Sequence, residues 1–266
     1  MFPGHPYGRS VLGTEEILNQ RSPEEMRCFH RAHYQPHNMK VVITGGIPLE
    51  PTLELVRHGF RAFAPPAVCP RQPPAPASLW HGIRRQTLVL PRLEQARLLM
   101  AWIGPGVDNL DMACGMDILS ALLAEGRSSR LVRELREVRQ WVLDITSSFS
   151  LQRDASLFTL QAWLEPKYLD VVETLISDRL AELGQNPIPT AELTRAQRLL
   201  CNDFAFSTET PGQLAGLYGY YGTLAKPEDC YSYSARVQAH TPESLGALAR
   251  QCLAPSNYAV TVLLPD

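Results

Sequence analysis

The stretch FHRAHYQPHN, residues 29–38, holds three histidines: His30, His33 and His37. Imidazole nitrogens are common zinc ligands, and bound zinc lowers the pKa of its water and polarises carbonyls. On an unbroken helix the three rings would share an arc of roughly 60°. Pro36 works against that arc, because the residue before a proline is biased away from helix. Neither H-E-x-x-H nor H-x-x-E-H occurs in the chain, and Glu24 and Glu25 fall at the far end of the same helix. The three histidines are therefore read as a helix end, where a cationic ring suits the negative pole of the dipole. No metal ligand is assigned.

A second run with chemical potential is LLAEGRSSRLVRELREVR, where arginine recurs at 127, 130, 133, 136 and 139. A spacing of three drifts by roughly −60° per step on a helix, so the guanidinium groups fan out rather than form one stripe. Glu134 and Glu137 interrupt them, which argues against a nucleic-acid surface. Leu131, Leu135 and Val138 follow i, i+4, i+7 and are expected to face the core. The chain has no G-x-S-x-G elbow and no phosphate-cradling G-x-x-x-x-G-K-[ST] loop. Gly104-Pro105-Gly106 reads as a turn. Tyr218, Tyr220 and Tyr221 alternate with glycine beside a helix; packing is the default reading and a peptide-contacting surface the alternative.

The elements that would position these groups can be read from punctuation and periodicity. Ser22-Pro23-Glu24-Glu25 is a helix start, with Ser22 as cap and Glu25 closing a capping box. That helix should end near Tyr34. MKVVITGG, residues 39–46, reads as a short buried strand, and a helix follows over 49–63. Six prolines in residues 64–78 predict an extended connector over 64–80. Beyond it come strands over 84–90 and 97–104, then helices over 110–124 and 128–138. Strands over 141–149 and 156–164 follow. Helices over 168–183, 191–206, 212–222 and 242–252 precede a last strand over 258–264. Strand pairs alternating with helix runs predict an α+β fold, with mixed or antiparallel sheets covered by helices on one face.

With 266 residues, 45% hydrophobic and 20% charged, the chain has material for a sizeable core. A formal charge of −2 gives no global field favouring nucleic acid or an acidic membrane. The six cysteines include no C-x-x-C pair and read as free thiols. Neither a signal-peptide pattern nor an apolar run of membrane-spanning length is present, so cytoplasmic placement is expected.

Certain residues carry a family resemblance. His5-Pro6-Tyr7, Leu12-Gly13-Thr14-Glu15, Phe29, Tyr34, Pro36, Asn38-Met39 and Gly45 resemble the later part of the first domain of inverted-zincin metallopeptidases. This is the pitrilysin, insulinase and mitochondrial-processing-peptidase family. Leu122 to Glu137, with Glu192 to Pro211, resembles its following domain. The resemblance implies a processing-peptidase-like domain repeat: residues 1–63 as a partial first domain, 64–80 as linker and 81–266 as a second domain. Two such domains form half of a chamber around an extended peptide.

The segment in which the family keeps H-x-x-E-H is lacking. The resemblance thus implies a non-catalytic subunit or fragment with no cofactor of its own, zinc coming from a catalytic partner or an upstream segment. By the same match Arg136 takes the place of a substrate-contacting arginine, while Leu143 replaces a tyrosine. Partners would be a homologous catalytic subunit or a second copy, and an extended peptide. Two rival readings are the C-terminal portion of an active zinc endopeptidase and a plain peptide-binding module that works by strand addition.

Overall fold

The computed structural model describes residues 1–68 and 82–266. Helix α1 (Glu15–Asn19) starts where the Thr14 hydroxyl accepts from the Ile17 amide. Helix α2 (Pro23–His33) carries the expected box: Ser22 Oγ accepts from the Glu25 amide at 3.2 Å, and the Glu25 carboxylate accepts from the Ser22 amide at 2.8 Å. That amide is the main reason the Glu25 carboxyl titrates below its ordinary range. The helix closes at Tyr34, two residues before Pro36. Helix α3 (Leu49–Gly59) ends four residues short of the expected limit at 63.

The strand expected over 39–46 does not form; these residues have no regular structure. A strand needs a neighbour to take its backbone hydrogen bonds, and no described strand pairs with this stretch. Val41 and Ile43 are exposed as a result. The segment instead passes helix Pro211–Leu224, where a Cβ on Gly219 would lie 3.9 Å from Val42. Most of the expected proline-rich connector, residues 69–80, lies outside the described residues.

The remaining elements are β1 (Arg84–Val89), β2 (Ala96–Gly104), α4 (Leu110–Ala124), a π-helical segment (Val132–Val138), β3 (Val142–Ser150) and β4 (Ser156–Leu164). They continue with α5 (Leu169–Gln185), α6 (Thr190–Phe206), α7 (Pro211–Leu224), α8 (Tyr233–Ala239), α9 (Pro242–Cys252) and β5 (Ala259–Leu264). Among the described residues the chain forms two compact units, one from residues 82–207 and 228–266, the other from 2–68 and 208–227.

The larger unit is built on a sheet of order β1-β5-β2-β4-β3. β1 and β5 run parallel; the other pairings are antiparallel. Side chains alternate across a sheet, and here one face is buried: Leu98, Met100 and Trp102 from β2, Phe158, Leu160 and Ala162 from β4, Val260 and Val262 from β5. Met116, Leu119 and Leu122 of α4, Ile176 and Leu180 of α5 and Leu245 of α9 join the same core cluster. The mixed sheet covered on one face is the architecture the pattern implies. The buried Glu173 carboxylate on α5 accepts from Tyr258 Oη at 2.7 Å and pairs with Arg85 of β1, so it ties β1 and the residue before β5 to a helix. Burial, then the hydrogen bond to Glu173, pushes the Tyr258 phenol up to about 12. Gly106 is needed where the chain leaves β2: a Cβ there would lie 2.5 Å from the Arg153 carbonyl oxygen.

The smaller unit has little core. Phe2 is its one buried hydrophobic residue among those described, whereas Met26, Phe29, Leu49 and Leu55 on α2 and α3 are exposed.

Candidate functional site

Arg136 lies in the π-helical segment, whose Val132 and Leu135 are buried. Its Nη1 donates to Asp144 Oδ1 at 3.0 Å, while Nε and Nη2 donate to Glu137 Oε1 at 3.1 and 3.0 Å. Glu137 in turn accepts from Arg127 at 2.8 Å. Hydrogen bonds from Arg127 and then Arg136 hold its carboxyl below the ordinary range. A guanidinium carries five N–H donors, so the three bonds above fix the fork without exhausting it. Two cations and two carboxylates cancel here. Such a neutralised arginine suits a peptide carbonyl better than a free anion.

Asp144 reaches Arg136 because β3 opens with a bulge. Val142 faces Leu164 and Asp144 faces Trp163, which leaves Leu143 unpaired between them. Leu143 is 62% exposed. β3 is one of the two edge strands, so among the described residues its far side offers unpaired amides and carbonyls next to Arg136. The described open face beside it is polar, with Ser148 Oγ and Thr159 Oγ1 2.8 Å apart and the Arg97 guanidinium 5.9 Å from the Trp163 ring centre.

The reversal between the π-helical segment and β3 turns on Gln140, whose φ is +54°. Arg139 lies over the Trp141 ring at 4.6 Å, and Trp141 stacks on Tyr168 at 6.1 Å. A side chain in left-handed geometry costs about 1 kcal/mol relative to glycine. Gln140→Gly should therefore raise stability by about 1 kcal/mol, read as a higher urea midpoint at unchanged slope. A lower midpoint would mean the glutamine side chain itself holds the turn.

Val138 departs from its expected place. Leu131 and Leu135 are fully buried, but Val138 is 70% exposed. The i, i+4, i+7 rule assumes α-helical turns, and the wider i→i+5 turn rotates Val138 off the core face. The arginines do not form one stripe: Arg127 and Arg136 meet at Glu137, whereas Arg130 pairs with Glu192 and Arg139 with Glu134.

His30 stacks on Tyr34 at 4.5 Å and His33 contacts the Phe29 ring at 4.3 Å. His37 falls in the separate turn Pro36–Asn38. Glu24 pairs with Arg27 and Glu25 with Arg21. Among the described residues no three histidine, cysteine, aspartate or glutamate side chains group so as to hold a metal ion.

Sequence reasoning singled out Arg136 and Leu143 but not Asp144. The arginine and its carboxylate lie eight residues apart across a helix end, a positive-φ turn and a bulge. No helix or strand period links such positions.

The family profile described as the peptidase M16 inactive domain matches residues 21–200. An uncharacterized zinc protease of Streptomyces coelicolor is 28% identical over 264 residues, covering 95% of this chain and 56% of that protein. A protease structure from Helicobacter pylori superposes with a TM-score of 0.90 at 21% identity, over 99% of this chain and 64% of the other. A peptidase M16 inactive domain from Pseudomonas fluorescens does so at 0.80 and 20% identity, over 100% and 63%. The chain thus spans less than two thirds of the length of each of these three proteins.

Proposed function

The chain belongs to the peptidase M16 inactive-domain family, and from that premise we propose that it is the substrate-holding part of a zinc peptidase. An extended peptide adds along the free edge of β3, with Arg136 holding a carbonyl at its end. The observation that carries this reading is the conjunction of an open strand edge with a guanidinium already fixed by Asp144 and Glu137. Prefixed donors cost little ordering when a ligand arrives. Leu143 supplies apolar contact at the bulge but no hydroxyl.

Activated water is assigned to another segment, either a homologous catalytic subunit or a further part of the same polypeptide. The exposed apolar residues of α2 and α3 and the unpaired stretch 39–46 give such a partner a surface to cover. The described free thiols Cys28, Cys114, Cys201, Cys230 and Cys252 fit a reducing cytoplasm. A peptide-binding module without any catalytic partner is the second reading, and co-purification of a catalytic homologue separates the two.

Fluorescence polarisation with an extended peptide tests the site. Arg136→Ala should weaken binding about tenfold, and a peptide N-methylated at alternate amides should bind as poorly. Unchanged affinity in both arms would rule out strand addition beside Arg136.

A further inference from the structure

On another side of the π-helical segment lies a cleft of about 620 Å³, between that segment, α5 and the first turn of α6. Arg130, Arg133, Arg139 and Arg179 line it, against Glu134, Glu182 and Glu192. The carboxylates are all engaged. Glu134 accepts from Arg139 at 2.9 Å and from Arg179 at 2.6 Å. Glu182 pairs with Arg179, and Glu192 accepts from Arg130 at 2.8 Å. These bonds hold the Glu134 carboxyl, chiefly through Arg179, below its ordinary range. No carboxylate pairs with Arg133 among the described residues, so four guanidinium groups face three carboxylates. Val138, exposed by the wide turn, lines the same cleft. Two observations thus converge: an excess positive charge in a concave site, and a seven-residue π-helical run, a rare geometry that concentrates at functional positions.

We propose that this cleft binds the side-chain carboxylate of an acidic peptide, with Arg133 as its primary partner and Val138 as apolar contact for the neighbouring residue. The charge balance favours a single carboxylate. Three glutamates around the rim repel a polyanion such as nucleic acid, and an inorganic dianion would gain nothing from Val138. Arg133 provides a planar fork suited to a carboxylate. The inference is separate from the β3-edge reading: it uses neither β3 nor Arg136, so the two can fail independently.

Isothermal titration of the full chain tests it with three probes: the N-acetylated, C-amidated tetrapeptide Ala-Ala-Glu-Val, which carries one carboxylate, its neutral isostere Ala-Ala-Gln-Val, and inorganic phosphate. The acidic peptide should bind more tightly than either other probe by about tenfold, and more weakly as salt rises. Arg133→Ala should lower its affinity about tenfold with the thermal melt unchanged, and Arg133→Lys should retain most of it. Four results would each overturn the proposal: no binding of the acidic peptide, equal binding by its isostere, phosphate binding as tight as the peptide, or an Arg133→Ala variant indistinguishable from wild type.

Discussion

Trp102→Ala is expected to destabilise the protein by about 4 kcal/mol. The indole is 1% exposed near the C-terminal end of β2, the strand that joins β4 on one side to β5 on the other. Its ring meets Phe158 edge-on at 6.2 Å and Tyr258 at 5.4 Å. Its Nε1 donates to the Ala254 carbonyl at 3.0 Å. Truncation removes that packing, opens a cavity the surrounding strands can fill only in part, and orphans a carbonyl. A domain of ordinary stability holds roughly 5–15 kcal/mol in total, so the loss takes a large share. Trp102→Phe keeps a ring but loses the donor and should cost about 1–2 kcal/mol. Urea unfolding followed by far-UV circular dichroism gives both values. β3 adds Val142 and Ile145 to the same core, so peptide binding at the β3 edge should fall with the folded fraction. A Trp102→Ala midpoint within about 1 kcal/mol of wild type would show that the core is not organised around this side chain.

Where local chemistry dictates the structure, the sequence is easy to read. The Ser22–Glu25 box forms as written, and the strand runs at 84–89, 96–104, 142–150, 156–164 and 259–264 appear within two residues of their expected limits. Each of these rests on a cap, a breaker or an alternation that its own residues settle. The failures share the opposite property. MKVVITGG has strand composition, but a strand depends on a neighbour that no local pattern supplies. Val138 fits an α-helical stripe only if the turn is α-helical, and the segment is instead π-helical, with Val132 and Leu135 buried. α8, seven residues long, is too short for its periodicity to register. In the candidate site the sequence offers the arginine through family resemblance, while the carboxylate that aims it depends on a bulge invisible in one dimension.

Asp117→Asn should make the protein more stable above pH 7 and leave it nearly unchanged at pH 4. Asp117 lies on α4 where α6 and α8 pack against it, and its carboxylate accepts from Tyr233 Oη at 3.2 Å. Tyr233 of α8 stacks on Phe204 of α6 at 5.1 Å. Burial, aided by the Glu125 charge and opposed by the Tyr233 hydroxyl, pushes the Asp117 carboxyl up to about 7. Other ionisable groups surround it. Glu125 near the end of α4 is itself raised by burial and by Asp203 of α6, with Arg195 opposing. Cys114 on α4 is pushed up to about 12, mainly by burial, and Arg236 of α8 pairs with Asp111. The sign follows from proton counting. Between about pH 4 and pH 7 the unfolded chain has lost the Asp117 proton and the folded chain still holds it, so stability falls as pH rises. A carboxyl raised from the ordinary aspartate range to about 7 corresponds to roughly 4 kcal/mol across that window. Asparagine keeps an oxygen for the Tyr233 hydroxyl and cannot ionise, so the variant should lack this part of the fall. Glu125 lies in both proteins and pulls in the same direction, which makes the difference between the two pH profiles, not either profile alone, the measure of Asp117. Chemical denaturation of both proteins from pH 4 to pH 8 gives that difference, and parallel profiles would mean that this carboxyl is solvated in the folded protein.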